Sequence, residues 1–235
     1  MLLKPENKKF NILPQQFTPD LCSNAEIIDG RRIYTTNTGE HYPSITTILS
    51  ATMELDKKHI LENWQERVGF EEAEKIKNDA ADRGTDLHNL MEKYIFGQDY
   101  SEDLKNSTPL VRKMFGQFIP VLNRVDNVRL MEKPLYSSGL KIAGRVDMVA
   151  EVDGILSVID FKTSTRVKTK DMIGDYLLQE CFYSICYAEH FHEKIQQCVT
   201  IIGTEKSLKA YVFIDSPKKS LTNLIKRVQL FYETN

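Results

Sequence analysis

The stretch "GRVDMVAEVDGILSVIDFKTS", residues 144 to 164, decides how the rest of the chain is read. It holds two apolar, β-branched runs around Asp153-Gly154, a strong short-range hairpin signal. Yet Asp147, Asp160 and Lys162 lie among its Val, Ile and Phe residues, and charges in an interior are expensive unless paired or metal-bound. If Asp153-Gly154 is a two-residue turn, Val152 faces Ile155, and counting outward sets Asp147 directly opposite Asp160. Opposed side chains have Cβ atoms about 4.5–5.5 Å apart, and like charges there are destabilising. Alternation puts Lys162 on the face of Asp160, with Val158 and Leu156 continuing that face toward the turn. Two acids and a lysine therefore converge at one strand end. A divalent ion, Mg2+ or Mn2+, would offset the repulsion with hard oxygen ligands. A salt bridge at a sheet edge, Asp147 with Lys162 or Asp160 with Arg145, is the other reading, and the hairpin alone leaves both open.

Outward from the hairpin, "NVRLMEKPLYS" supplies a strand before it, so residues 127 to 164 read as three successive strands. A helix over 172–191 follows, then strands "QCVTIIG" and "KAYVFID" and a closing helix over 219–233. Toward the N-terminus, residues 26–42 read as a small hairpin with turn signals at Asp29-Gly30 and Asn37 to Gly39. Ser44 is an N-cap for a short helix. Helices are predicted over 54–68 and 71–96, the second interrupted at Gly84 by a bend or junction. A polar stretch, 98–109, precedes a helix over 110–123. The fold class that results is α/β, a mixed central sheet flanked by helices, with an N-terminal helical segment. One domain over 1–235 is expected, with the hairpin and helical region in 1–125 and the catalytic core in 126–235.

Hydrophobic residues make up 41% of the 235 residues and charged ones 27%, an ordinary globular composition with enough chain for a sizeable core. No apolar run is long enough for a membrane span, and the start, "MLLKPENKKFNILPQQF", lacks the features of a leader. The expectation is a cytoplasmic or nucleoid-associated protein, in the host cytoplasm if viral, with no membrane partner. Cys22, Cys181, Cys186 and Cys198 show no CxxC pairing, which argues against a zinc ribbon or a secreted disulfide framework. The net charge of −2 means that any nucleic-acid site is a local patch rather than a global field.

"GRVD" followed after a hairpin by "IDFKTS" resembles the GxxD and DxK motifs of the PD-(D/E)xK nuclease superfamily, with its restriction-endonuclease-like core, and in particular its RecB-type exonucleases. "YPSITTIL" (42–49) and "RGTDLHNLMEKYI" (83–95) resemble the N-terminal motifs of that branch, and "QECFY" (179–183) its QxxxY signature. These motifs span about residues 42 to 187 in the order of that branch, and among its members the chain resembles the mitochondrial genome maintenance exonucleases. Val146 stands where the superfamily's name has proline. The resemblance implies a catalytic Lys162, with Asp147 and Asp160 as metal carboxylates. His88 on a helix and the backbone carbonyl of Phe161 would be further metal ligands. Gln179 and Tyr183 would lie near substrate. It also implies DNA, with single-stranded ends, as the partner. The scattered cysteines do not match the clustered iron–sulfur ligands of some relatives, so no cluster is expected.

His88 and Glu92 share a helix face, but this is not HExxH, so zinc-protease chemistry is not indicated. Gln179, Tyr183 and Tyr187 recur every four residues, a packing stripe in which Gln179 is the odd member. "KTSTRVKTK" runs on from the DxK strand and offers Arg166, Lys168 and Lys170 to phosphates. Ser44 and Arg145, inside the matched motifs, are further substrate-binding candidates, and Glu132 on the preceding strand is a supporting one. The function expected is a metal-dependent DNA exonuclease of replication, repair or recombination. Its alternatives are a non-catalytic nucleic-acid-binding module on a nuclease fold and a nuclease acting on RNA.

Overall fold

The computed structural model describes residues 8–234; residues 1–7, on which part of the leader reading falls, lie outside the described residues. Strands β1 (Glu26–Ile28), β2 (Arg31–Thr35) and β3 (His41–Pro43) form an antiparallel sheet in that order. Asp29 and Gly30 are both left-handed, with φ of 49° and 73°, as a type I′ turn requires. The Asn37 to Gly39 signal closes a second turn, so the hairpin gains a third strand. Ser44 caps α1 (Ile45–Ala51), its Oγ accepting the Thr47 N–H at 3.0 Å.

Gly69, with φ 87°, separates α2 (Leu55–Val68) from α3 (Phe70–Ile95). Contrary to the expected bend, α3 runs unbroken through Gly84. A lone glycine costs a helix only about 1 kcal/mol against alanine. The stripe Leu87, Leu90, Met91, Tyr94 and Ile95, fully buried in the core, outweighs that. The polar stretch after it contains a short helix, α4 (Ser101–Asn106), and Thr108 then caps α5 (Pro109–Leu122).

The main sheet is built from β4 (Val125–Ser137), β5 (Ile142–Val152) and β6 (Ile155–Ser164), followed by the crossover helix α6 (Gly174–Phe191). Strands β7 (Gln197–Thr204) and β8 (Tyr211–Asp215) and helix α7 (Pro217–Thr234) complete it. The five strands lie in the order β4-β5-β6-β7-β8, all neighbours antiparallel except β6 and β7. This is the mixed central sheet expected. Helices cover both faces: α3 and α5 pack on Met148, Ile159, Phe161 and Val199, while α1, α6 and α7 pack on Val146, Val149, Leu156 and Val158. Burial on both sides explains why β7, QCVTIIGT, is buried at successive positions and shows no alternation of apolar and charged residues. No helix among the described residues is long and apolar enough to cross a membrane.

The hairpin has the register that turn counting demands, from Val152 opposite Ile155 to Met148 opposite Ile159. Asp153 and Gly154 carry φ of 52° and 78°. The β5–β6 ladder ends at that last pair. Beyond it β5 stays on β4 as far as Ile142, and β6 stays on β7 as far as Ser164. A wedge therefore opens within the sheet at Asp147 and Asp160.

Two glycines in this frame should respond oppositely to a methyl group. At Gly203 a Cβ would lie 2.7 Å from Phe118 Cε2 and 3.3 Å from Met114 Cβ, whereas at Gly84 it would meet nothing within 4 Å. Gly203→Ala should lower stability by about 1–3 kcal/mol through overpacking, and Gly84→Ala should raise it by up to about 1 kcal/mol. Urea unfolding of the two variants checks both signs.

Candidate active site

The wedge between β5 and β6 forms one wall of a cleft of about 770 Å³, and α3 forms the other. Asp147 sits where the alternation of β5 slips: Val146 and Val149 both pack beneath α6, while Met148 packs on the opposite face. Its Oδ2 accepts the Phe161 N–H at 2.7 Å. Across β4, Glu132 falls between the pairs Met131–Met148 and Lys133–Val146 with φ 51°, a left-handed conformation rare for a non-glycine residue. Its side chain reaches α3, where Glu132 Oε1 lies 2.8 Å from His88 Nδ1.

His88 therefore hangs from α3 into the wedge. Its Nε2 is 3.2 Å from the Phe161 carbonyl oxygen and 3.8 Å from Asp147 Oδ2. Burial alone would lower the imidazole's pKa. The charge of Asp147, with the hydrogen bond and charge of Glu132, overrides that and pushes it up to about 9. With no ion bound, both ring nitrogens then carry protons and donate, Nδ1 to Glu132 and Nε2 to Phe161.

Asp160 and Lys162 lie on the α6 side of the wedge. Lys162 Nζ is 2.5 Å from Asp160 Oδ1, and the ammonium also stands 5.3 Å from the centroid of the Tyr176 ring. Burial opposes the lysine's charge, but Asp160 and Asp147 hold it protonated well above the usual range. The Asp160 pKa is raised as well: burial lifts it against the pull of Lys162, and Asp147 adds to the rise. Neither cross-strand bridge weighed from the sequence forms among the described residues, for Asp160 pairs along its own strand. Arg145 instead donates to the Glu132 carbonyl and to Asn24 Oδ1.

The other candidates divide. Gln179, Tyr183, Ser44 and Arg145 all line the cleft, with Gln179 Nε2 donating to the Tyr183 hydroxyl at 3.3 Å. Tyr183 passes so close to β5 that a Cβ on Gly144 would lie 2.7 Å from its hydroxyl oxygen. Ser44 is buried and committed to its cap. Lys168 lies against Tyr176, 5.6 Å from the ring centroid. Arg166 does not line the cleft but a neighbouring depression. Lys170 leaves the basic group altogether, pairing with Asp215 at 2.6 Å.

Sequence reasoning missed three residues. Arg83 reaches from α3 to Thr163 Oγ1 at 3.4 Å. Tyr176 precedes Gln179 by three residues and Tyr183 by seven, so the helical spacing that singled out those two also placed it on their face. Glu180 is fully buried, accepts the Thr200 hydroxyl, and keeps Oε2 without a partner among the described residues. Burial and the charge of Asp160 hold its carboxyl well above the usual range, and beside Gln179 nothing in the sequence separated it from a surface acid.

The donor set fits a divalent cation. His88, Glu132 and Asp147 each offer one atom within 4.8 Å of the others, with the Phe161 carbonyl beside them. Around an octahedral ion with bonds of about 2.1 Å, adjacent ligands sit about 3 Å apart, which is the scale of the separations at His88 Nε2. Asp160 is outside this group, its Oδ1 on Lys162 and its buried Oδ2 unpartnered.

The raised imidazole pKa has a testable consequence. A histidine lifted from about 6.5 to about 9 contributes stability that is full below 6.5 and drains as pH rises through 9. A cation that takes Nε2 must displace a proton. Mn2+ affinity, measured by calorimetry, should rise up to ten-fold per pH unit until about pH 9, and His88→Gln should flatten that slope.

A sequence profile of the PD-(D/E)XK nuclease superfamily matches residues 110–232. Proteins named mitochondrial genome maintenance exonuclease 1 are also similar. That of Mus musculus is 30% identical over 131 residues, 54% of this chain and 38% of the relative. That of Xenopus tropicalis is 32% identical over 132 residues, 54% and 37% respectively, and the human protein is 28% identical over 131 residues. The alignment thus spans well under half the length of the curated relatives. The profile covers more than half of this chain and includes Asp147, Asp160 and Lys162, so the chain belongs to the PD-(D/E)XK nuclease superfamily.

Proposed function

We propose that the chain is a divalent-metal-dependent exonuclease that hydrolyses DNA phosphodiester bonds, preferring single-stranded ends. The observation that carries the reading is Lys162, an ammonium held by Asp160 on the wedge wall of a cleft that also gathers Asp147 and the Phe161 carbonyl, with His88 reaching in from α3. Those three groups would hold the ion and Glu132 would orient His88. Once bound, the ion would lower the pKa of a water and neutralise phosphate charge.

The chain's own residues do the rest. In-line attack of water on phosphorus builds negative charge on the phosphoryl and leaving oxygens. Lys162 remains protonated throughout, so it serves as a charge donor to those oxygens or to the oriented water, not as a base. Asp160 fixes the direction of Nζ. On the opposite wall Ala80, Ala81 and Gly84 present a small-residue face of α3, which lets a sugar-phosphate chain lie against the helix. The cleft volume is that of a small-ligand site, which favours a strand of a few nucleotides over a duplex. The relatives' names, genome maintenance exonucleases, support DNA and chain ends as the substrate.

The test is cleavage of end-labelled single- and double-stranded DNA and RNA with Mg2+ or Mn2+ against excess EDTA. Single-stranded DNA should be shortened from an end, and EDTA should abolish it. Equal cleavage of RNA would reassign the substrate, and activity in EDTA would refute the ion. Lys162→Ala should lower cleavage by roughly 100-fold or more, since its value lies in the transition state, with oligonucleotide affinity in EDTA nearly unchanged.

Phosphate contacts outside the cleft can be counted by salt. Arg166→Ala and Lys168→Ala should each flatten the slope of log affinity against log salt by about 0.7 for a single strand. Lys170→Ala, which removes an ammonium that pairs with Asp215 beside Lys219, should change the slope less. Equal effects at all three positions would show that the loop acts only as a diffuse field.

A further inference from the structure

The Lys162 ammonium sits at the end of a flexible stem with three donors to place. Asp160 Oδ1, at 2.5 Å, fixes one N–H direction and leaves the others free to turn toward the cleft or away from it. A second restraint comes from α6. Nζ stands 5.3 Å from the centroid of the Tyr176 ring, inside the roughly 6 Å at which the negative face of an aromatic ring attracts a cation.

The chemistry of that contact is narrow. Lys168 approaches the same ring, at 5.6 Å, so two cations gather on one aromatic group although their charges repel. The Tyr176 hydroxyl has no hydrogen-bond partner among the described residues. Burial raises its pKa against the pull of Lys162, so what the lysines meet is a neutral ring. The ring does not line the cleft, whereas Lys162 does, and Tyr176 therefore reaches that space only through the lysine.

The ring is anchored where the lysine is not. Tyr176 lies in the first turn of α6 beside Asp175, whose Oδ1 accepts Arg227 Nη1 of α7 at 3.2 Å. The same guanidinium donates from Nε to Thr52 Oγ1, just past α1, at 2.6 Å. Three helices thus hold the turn that carries the ring, and a fixed surface confines a mobile side chain at little further entropic cost.

We propose that Tyr176 is a positioning residue for phosphodiester hydrolysis, its ring face holding the Lys162 ammonium against Asp160 with the remaining N–H bonds turned to the cleft. The proposal rests on the nuclease reading above and adds to it a group that acts without touching substrate.

The experiment uses the full chain carrying Lys168→Ala, so that the ring has one cation left to hold, and measures kcat and KM on end-labelled single-stranded DNA with Mn2+. Tyr176→Leu should lower kcat roughly ten-fold and leave KM within about two-fold. Tyr176→Phe should restore most of the loss. A ring-trifluorinated phenylalanine at the same position keeps the shape of the ring but removes its negative face, and it should behave as Tyr176→Leu does. A second measurement needs no cleavage. Urea unfolding of Tyr176→Leu, Lys162→Met and the double variant forms a cycle that cancels the cost of each truncation. The pair should be coupled by roughly three- to thirty-fold in the unfolding equilibrium constant. Full kcat in Tyr176→Leu, a fluorinated ring as active as phenylalanine, or zero coupling overturns the positioning role and leaves the nuclease reading intact. Tyr176→Phe as slow as Tyr176→Leu overturns it in favour of the hydroxyl. An inert wild type refutes the nuclease reading and the catalytic purpose of the contact together.

Discussion

The hydrogen bond from the Phe161 N–H to Asp147 Oδ2, at 2.7 Å, is the contact on which the site depends. Continued in register, the β5–β6 ladder would have given that N–H to the backbone of β5. The strands part instead after Met148 and Ile159, and a buried donor without a partner is costly. The Asp147 carboxylate takes its place, which lets the sheet split without an orphaned group. The N–H and C=O of one strand residue point to the same side, so the split also turns the Phe161 carbonyl into the wedge, where His88 Nε2 meets it at 3.2 Å. One departure from sheet geometry thus yields both an aimed carboxylate and a free carbonyl.

The parts legible in the sequence were those governed by local chemistry. Asp153-Gly154 permits positive φ at both positions, and that alone set the register and so the neighbourhood of Asp147, Asp160 and Lys162. Ser44 announced a helix start in the same way. Gly84 misled because propensity is a local quantity, whereas α3 is held by the fully buried side chains that follow it. Lys170 misled because its partner, Asp215, is 45 residues away on β8. Glu132 stood as a supporting candidate, but its left-handed backbone, like the burial of Glu180, was beyond reach for a related reason: burial and backbone twist arise from packing, and neither residue type signals them.

The opening problem of buried charge is resolved by distribution, not by a single ion pair. On the α6 side, Asp160 is matched by Lys162, while Glu180 beneath it is held toward its neutral form. On the α3 side, Asp147 and Glu132 are matched by a protonated His88. With no ion present, one proton on an imidazole carries the charge a cation would otherwise bring. That arrangement lets the site fold without a cation, and a cation, if bound, would displace the proton at groups that already face one another.

Glu132 shows what this readiness requires elsewhere. A left-handed residue within a strand costs about 1–2 kcal/mol, and such strain persists only where the surroundings over-determine it. Here they do. The Glu132 side chain is tied to His88 at 2.8 Å, its carbonyl accepts Arg145, and both backbone groups of Met131 are bound by the side chain of Gln16, with the N–H at 2.6 Å and the carbonyl at 3.2 Å. Gln16 covers the outer edge of β4, a position that would otherwise expose unpaired backbone. The N-terminal segment therefore does more than shield an edge: by pinning the residue before the twist, it keeps the carboxylate of Glu132 turned toward α3 and His88 turned toward the wedge.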